Sequence, residues 1–128
     1  MKHFEKRLPD TELEIMKIIW HNPVPISTSE VKRKIDEETE LEWTQQTLQT
    51  LLNRLIAKQY LSKDKRGKEY IYTPLVKEKD YVQYESEQFL KKIHGNSIIG
   101  LVKALFDSKK ISEEDISELE KMLEEKKK

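Results

Sequence analysis

Between Trp43 and Lys58, WTQQTLQTLLNRLIAK, apolar residues return at the spacing of a helix. Leu48, Leu51, Leu52, Leu55 and Ile56 share one side. Gln46, Thr50 and Asn53 take the other, flanked by Thr47, Gln49 and Arg54. Thr44 is placed to cap this helix, because its hydroxyl can accept an orphan N–H of the first turn. Two shorter helices are predicted upstream. The first follows Pro9 and carries a stripe of Leu13, Met16, Ile19 and Trp20, widened by Ile15 and Ile18. Asp10, Glu12 and Glu14 suit its positive end, and Pro23 stops it. The residues before it, Met1 to Leu8, read as polar and frayed. After an extended Val24-Pro25-Ile26, the run Ser27 to Glu30 matches a capping box. A helix burying Val31 and Ile35 is predicted from there to about Asp36, then an acidic loop from Asp36 to Glu42. Trp43 can staple the start of the third helix.

Downstream the period changes to two. Tyr60 to Lys63 and Glu69 to Thr73 read as strands joined by a Gly-containing turn from Asp64 to Lys68. Two short helices, a helix with a bare polar face and a basic hairpin make a winged helix-turn-helix pattern. Pro74 and the charged Lys77 to Asp80 mark a boundary. Residues 1–75 are expected to be the winged domain and residues 76–128 a module of three helices. The fourth helix runs to about Ile93 and carries Tyr81, Tyr84, Phe89, Leu90 and Ile93, with Gly95 suited to a left-handed cap. The fifth spans Ser97 to Phe106. The sixth opens at Ser112 with Asp115 and carries Ile116, Leu119, Met122 and Leu123. The fold class is therefore mainly α.

Charge sharpens this picture. Lys+Arg and Asp+Glu are both 24, so no bulk-basic argument for nucleic acid exists. The distribution is uneven, however. Residues 1–43 balance at −3, residues 44–73 at +4 and residues 74–128 at −1. Charged residues are 38% of the chain, yet none from Thr44 to Lys58 is acidic. Amides, hydroxyls and one Arg are groups that bond base edges and phosphates in a major groove. On this stretch alone, a solvated helix that happens to lack acid reads the face equally well. Lys63, Lys65, Arg66 and Lys68, expected together at the hairpin tip, favour the nucleic-acid reading. The candidate DNA contacts are thus Thr44, Gln45, Gln46, Thr47, Gln49, Thr50, Asn53 and Arg54, with the four hairpin cations. Arg54 has a second option, a carboxylate of the second helix.

Three helices in the tail have little interior of their own. Phe89, Ile98, Leu101, Val102, Leu105, Phe106, Ile116, Leu119 and Leu123 would leave an apolar patch on a monomer, and such patches mark association sites. A symmetric dimer closes it most simply. Packing of the module on its own wing domain is the alternative.

Other chemistry is sparse. The absence of cysteine excludes disulfides and thiolate metal sites and fits a cytoplasmic protein. No apolar run approaches the ~18 residues of a membrane span, and no signal peptide stands at the start. His3, His21 and His94 lie in different elements, and no phosphate loop or local nucleophilic arrangement suggests an enzyme. His94 reads as a helix-end residue near terminal carbonyls. No cofactor is expected. A helical protein–protein adaptor without operator binding is the rival function.

Four segments in order carry a resemblance: TELEIMKIIW at Thr11 to Trp20, TLQTLLNRLIAKQYL at Thr47 to Leu61, RGKEYIYTPLV at Arg66 to Val76, and the tail from Phe89 to Leu123. Together they resemble the penicillinase repressor and methicillin-resistance regulator family of bacterial winged-helix repressors. The resemblance implies a homodimer on double-stranded palindromic operators with TACA and TGTA half-sites. It also implies a protease or sensor system as a further partner. In one branch, release follows cutting of an Asn–Phe bond in the fifth helix. Here Ala104 and Leu105 stand at that bond, so the cleavage signal is absent. In the copper-responsive branch paired cysteines bind metal, and this chain has none.

Overall fold

A computed structural model of the chain describes residues 7–128. Three helices come first: α1 (Asp10–Trp20), α2 (Thr28–Glu38) and α3 (Gln45–Ala57). A strand β1 (Ile26–Ser27) precedes α2, and β2 (Leu61–Arg66) and β3 (Glu69–Pro74) follow α3. Then come α4 (Glu78–His94), α5 (Ile98–Asp107) and α6 (Glu113–Lys126). The strands form one antiparallel sheet in the order β1-β3-β2. The chain divides into two compact units between Glu85 and Ser86, within α4.

The first unit has the core. Ile15, Met16, Ile18 and Ile19 of α1, Val31 and Ile35 of α2, and Leu48, Leu51, Leu52 and Leu55 of α3 are buried against Ile26, Leu61 and Tyr72 of the sheet. Leu13, Trp20, Trp43 and Ile56 pack on it while partly exposed, so the α1 stripe turns further toward Ile15 and Ile18 than its spacing suggested. Ser27 caps α2 by accepting the Glu30 N–H at 3.2 Å, but the Glu30 carboxylate binds Arg33 rather than completing a box. α2 also runs on through Glu38, because Asp36, Glu37 and Glu38 each pair with a cation one turn back. The acidic loop is shorter as a result.

Three further expectations are corrected. Leu8 is not frayed: it is 1% exposed, and its N–H donates to the Tyr81 hydroxyl at 2.9 Å. The rest of the frayed segment, residues 1–6, lies outside the described residues. Glu12 does more than complement the α1 dipole. It is 1% exposed, and the Lys58 Nζ meets its Oε1 at 2.6 Å, tying the start of α1 to the end of α3. Finally, the first unit continues past residue 75. Val76 and Tyr81 are buried in it, the Trp20 indole donates to the Val76 carbonyl at 2.8 Å, and the Tyr81 ring lies 5.8 Å from Trp20 and 5.9 Å from Tyr60. The apolar side of the first turns of α4 belongs to this core, so the break at Pro74 ends the hairpin and not the unit. Burial pushes the Tyr60 phenol up to about 12, and burial with the Glu85 hydrogen bond raises Tyr81 as well.

The second unit has local order without a buried side chain. Gly95 and Asn96 both take positive φ where α4 ends, the conformation that lets the chain turn back. Ser97 caps α5 through the Gly100 N–H at 2.9 Å. Ser112 and Asp115 form a complete capping box on α6, both bonds at 3.0 Å. His94 lies edge-on to the Phe89 ring at 5.6 Å. Among the described residues no helix is long and apolar enough to cross a membrane.

Candidate nucleic-acid interface

The interface is built on α3. Thr44 is extended (φ −75°, ψ 165°) and its Oγ1 accepts the Thr47 N–H at 3.1 Å, so the helix begins sharply at Gln45. Burial of Leu48, Leu51, Leu52 and Leu55 fixes its roll. The opposite face must then point outward, and Gln45, Gln46, Thr47, Thr50, Asn53 and Arg54 are all exposed. Thr44, Gln46, Thr47, Thr50 and Arg54 line a shallow groove floored by Leu51. The positive end of the helix dipole opens there with no acidic residue in the first turn. All four carboxylates of α2 pair with cations of that same helix, which leaves Arg54 directed to the groove and removes its second option.

Gln49 differs from its neighbours. Its amide nitrogen donates to the Asn53 Oδ1 at 3.1 Å and to the Tyr72 hydroxyl at 3.4 Å. Tyr72 is fully buried and also accepts from the Thr28 hydroxyl at 3.0 Å. One phenol thus joins β3, the start of α2 and the face of α3.

The hairpin turn is tighter than expected. Arg66 pairs with Glu69 across a two-residue turn in which Gly67 takes φ +65°. Lys63 and Lys65 are therefore strand residues, not tip residues. Pairing of Lys63 with Tyr72 and Lys65 with Tyr70 puts both lysines on the sheet face that carries Tyr72. Their ammonium groups lie 4.3 and 5.3 Å from the centre of the exposed Tyr70 ring, a cation–π arrangement. Arg66 faces the other side, with Glu69, Ser29 and Glu30 around a separate cleft. The four cations do not form one cluster. Lys63 and Lys65 share the face that carries Tyr72, Lys68 sits in the turn, and Arg66 lies opposite.

Tyr70 and Tyr72 were not among the expected site residues. The signal was present in EYIYTP, where strict alternation puts Tyr70 and Tyr72 on one face, but the register with Lys63 and Lys65 had to be known to use it. Lys58 contributes to the positive balance of residues 44–73 yet is held by Glu12, so it is not part of the bare face.

Three helices around one core, the third with its polar side bare, and a hairpin beside it define a winged helix-turn-helix protein. The family model for penicillinase repressors matches residues 8–125, and the chain belongs to that family. The penicillinase repressor of Bacillus licheniformis is 36% identical over 125 residues, covering 95% of both chains. The methicillin resistance regulatory protein MecI of Mammaliicoccus sciuri is 26% identical over 119 residues, covering 93% of this chain and 94% of its own. The solution structure of the DNA-binding domain of the repressor BlaI superposes with a TM-score of 0.51 at 40% identity, over 59% of this chain and 88% of that one.

Proposed function

We propose that this chain is a dimeric transcriptional repressor that binds palindromic operators of the TACA/TGTA type and leaves them on a signal it does not itself generate. The observation that carries the reading is the bare, acid-free face of α3, with Gln46, Thr50 and Arg54 exposed around one groove. Gln amides and Thr methyls suit A/T-rich base edges, and Arg54 suits a phosphate. Lys63 and Lys65 add phosphate contacts from the wing, with Arg66 and Lys68 reaching the backbone further along the duplex. A single winged domain makes few contacts, so two copies on two half-sites give the affinity a repressor needs.

The second copy is supported by the tail. Phe89, Ile98, Leu105, Phe106, Ile116, Leu119 and Leu123 are all exposed in one chain, and Leu101 and Val102 are only partly covered. We place the homodimer interface on these residues. Family membership in the repressors favours a cytoplasmic, non-enzymatic protein. Release is proposed to involve a protease or sensor system that acts elsewhere than at Ala104-Leu105, since those residues are not the Asn–Phe pair.

Selection of bound duplexes from a random DNA pool tests the reading. The expected result is a palindrome with A/T-rich half-sites at a spacing near one helical turn. Retention of no sequence over background would overturn it and favour the adaptor.

A further inference from the structure

The buried Tyr72 hydroxyl has an effect on how α3 can read DNA. Gln49 is only half exposed, and both hydrogens of its amide are in use, one on the Asn53 Oδ1 and one on the Tyr72 oxygen. A side-chain amide has two N–H donors and one carbonyl acceptor. With the donors occupied, Gln49 keeps only Oε1 for a partner. Asn53 is the complement: its Oδ1 is taken, so its Nδ2 is the group left to donate. Tyr72 cannot move aside, because it is fully buried and held by Thr28 as well.

We infer that Tyr72 is a positioning residue for base recognition, which orients Gln49 so that it accepts from, and does not donate to, the major groove. This rests on the operator-binding reading above and adds a base class to it. In the major groove adenine offers N6–H₂ and cytosine N4–H₂, whereas guanine O6 and thymine O4 are acceptors. Gln49 oriented this way selects adenine or cytosine at one position of the half-site and rejects guanine and thymine. A free Gln amide could donate as well as accept, to adenine N7, guanine O6 or thymine O4, so the bond to Tyr72 exchanges one contact for a fixed polarity.

The test is pool selection on the full chain and three variants, Tyr72→Phe, Gln49→Met and Asn53→Ala. Wild type should show adenine or cytosine at one position of each half-site, and Gln49→Met should lose the preference at that position only. Tyr72→Phe frees one amide hydrogen, so guanine or thymine should enter at the same position, with discrimination there falling roughly tenfold. Asn53 is exposed, so its replacement spares the core and should broaden the same position by freeing the other hydrogen. A Tyr72→Phe protein that keeps the wild-type preference there, or that weakens all positions alike, overturns the inference, as does a Gln49→Met protein with the preference intact. Should Tyr72→Phe fail to fold, an Asn53→Ala protein with unchanged preference overturns it equally. A wild type that selects no sequence overturns the operator reading itself.

Discussion

The two units of this chain solve the same problem differently. Every buried hydrophobic residue described, from Leu8 to Tyr81, lies in the unit that ends at Glu85. The unit from Ser86 onward has none, although α5 is the most apolar helix in the chain and α6 has a clear apolar stripe. The first unit closes its core with three helices and a sheet. The second has complete caps and turns but ten large apolar side chains in the open, from Phe89 to Leu123. Local sequence signals are therefore enough to form its helices but not to finish it. What they lack is a surface to pack on, which the proposed second copy would supply.

Breaking that surface should have the largest effect. Leu105→Asp with Leu119→Asp would put two charges into the proposed interface, where unpaired charge is costly. Sedimentation should show monomers, and operator affinity should fall by at least about a hundredfold with the loss of one half-site. A dimer that persists at micromolar concentration would move the interface elsewhere. The first unit should be insensitive to this change and sensitive to its own tie. Lys58→Met leaves the Glu12 carboxylate buried without its partner and should destabilise that unit by about 3 kcal/mol, read from urea unfolding. A shift under about 0.5 kcal/mol would mean that water reaches Glu12. The wing gives the smallest expected effect per residue. Ala at Lys63 and Lys65 should weaken all sequences alike and reduce the salt slope by about one unit per phosphate lost. Arg66→Ala, on the other sheet face, should change it less than either. Equal slopes for all three would return the cations to a single cluster.

How far the sequence could be read follows the same division. Helix positions, the Thr44 and Ser112 caps and the Gly95 stop were legible, because each depends on side chains within a few residues. The winged helix-turn-helix class was legible because the change of period after Tyr60 is abrupt. The buried state of Glu12, the place of Leu8 and the extension of the first unit into α4 were not. Each depends on a partner tens of residues away, Lys58 or Tyr81, and no local pattern encodes such a pair. For the site, the bare face of α3 was legible from its missing acids. The division of the wing cations was not, because a two-residue turn instead of a five-residue one extends the strand through Lys65 and Arg66 and sets the face of each cation by register. The engagement of Gln49 by Tyr72 was hidden for the same reason.

The central claim is that the exposed face of α3 reads bases. It is tested most directly by titrating Gln46→Ala, Thr50→Ala and Arg54→Ala against the selected operator and a scrambled duplex at one fixed salt. Gln46→Ala and Thr50→Ala should each cost roughly 1–3 kcal/mol on the operator and little on the scrambled duplex, because only base contacts discriminate. Arg54→Ala should weaken both, as a phosphate contact does. If Gln46→Ala and Thr50→Ala weaken the two duplexes equally, or neither, the face does not read bases and the account is contradicted.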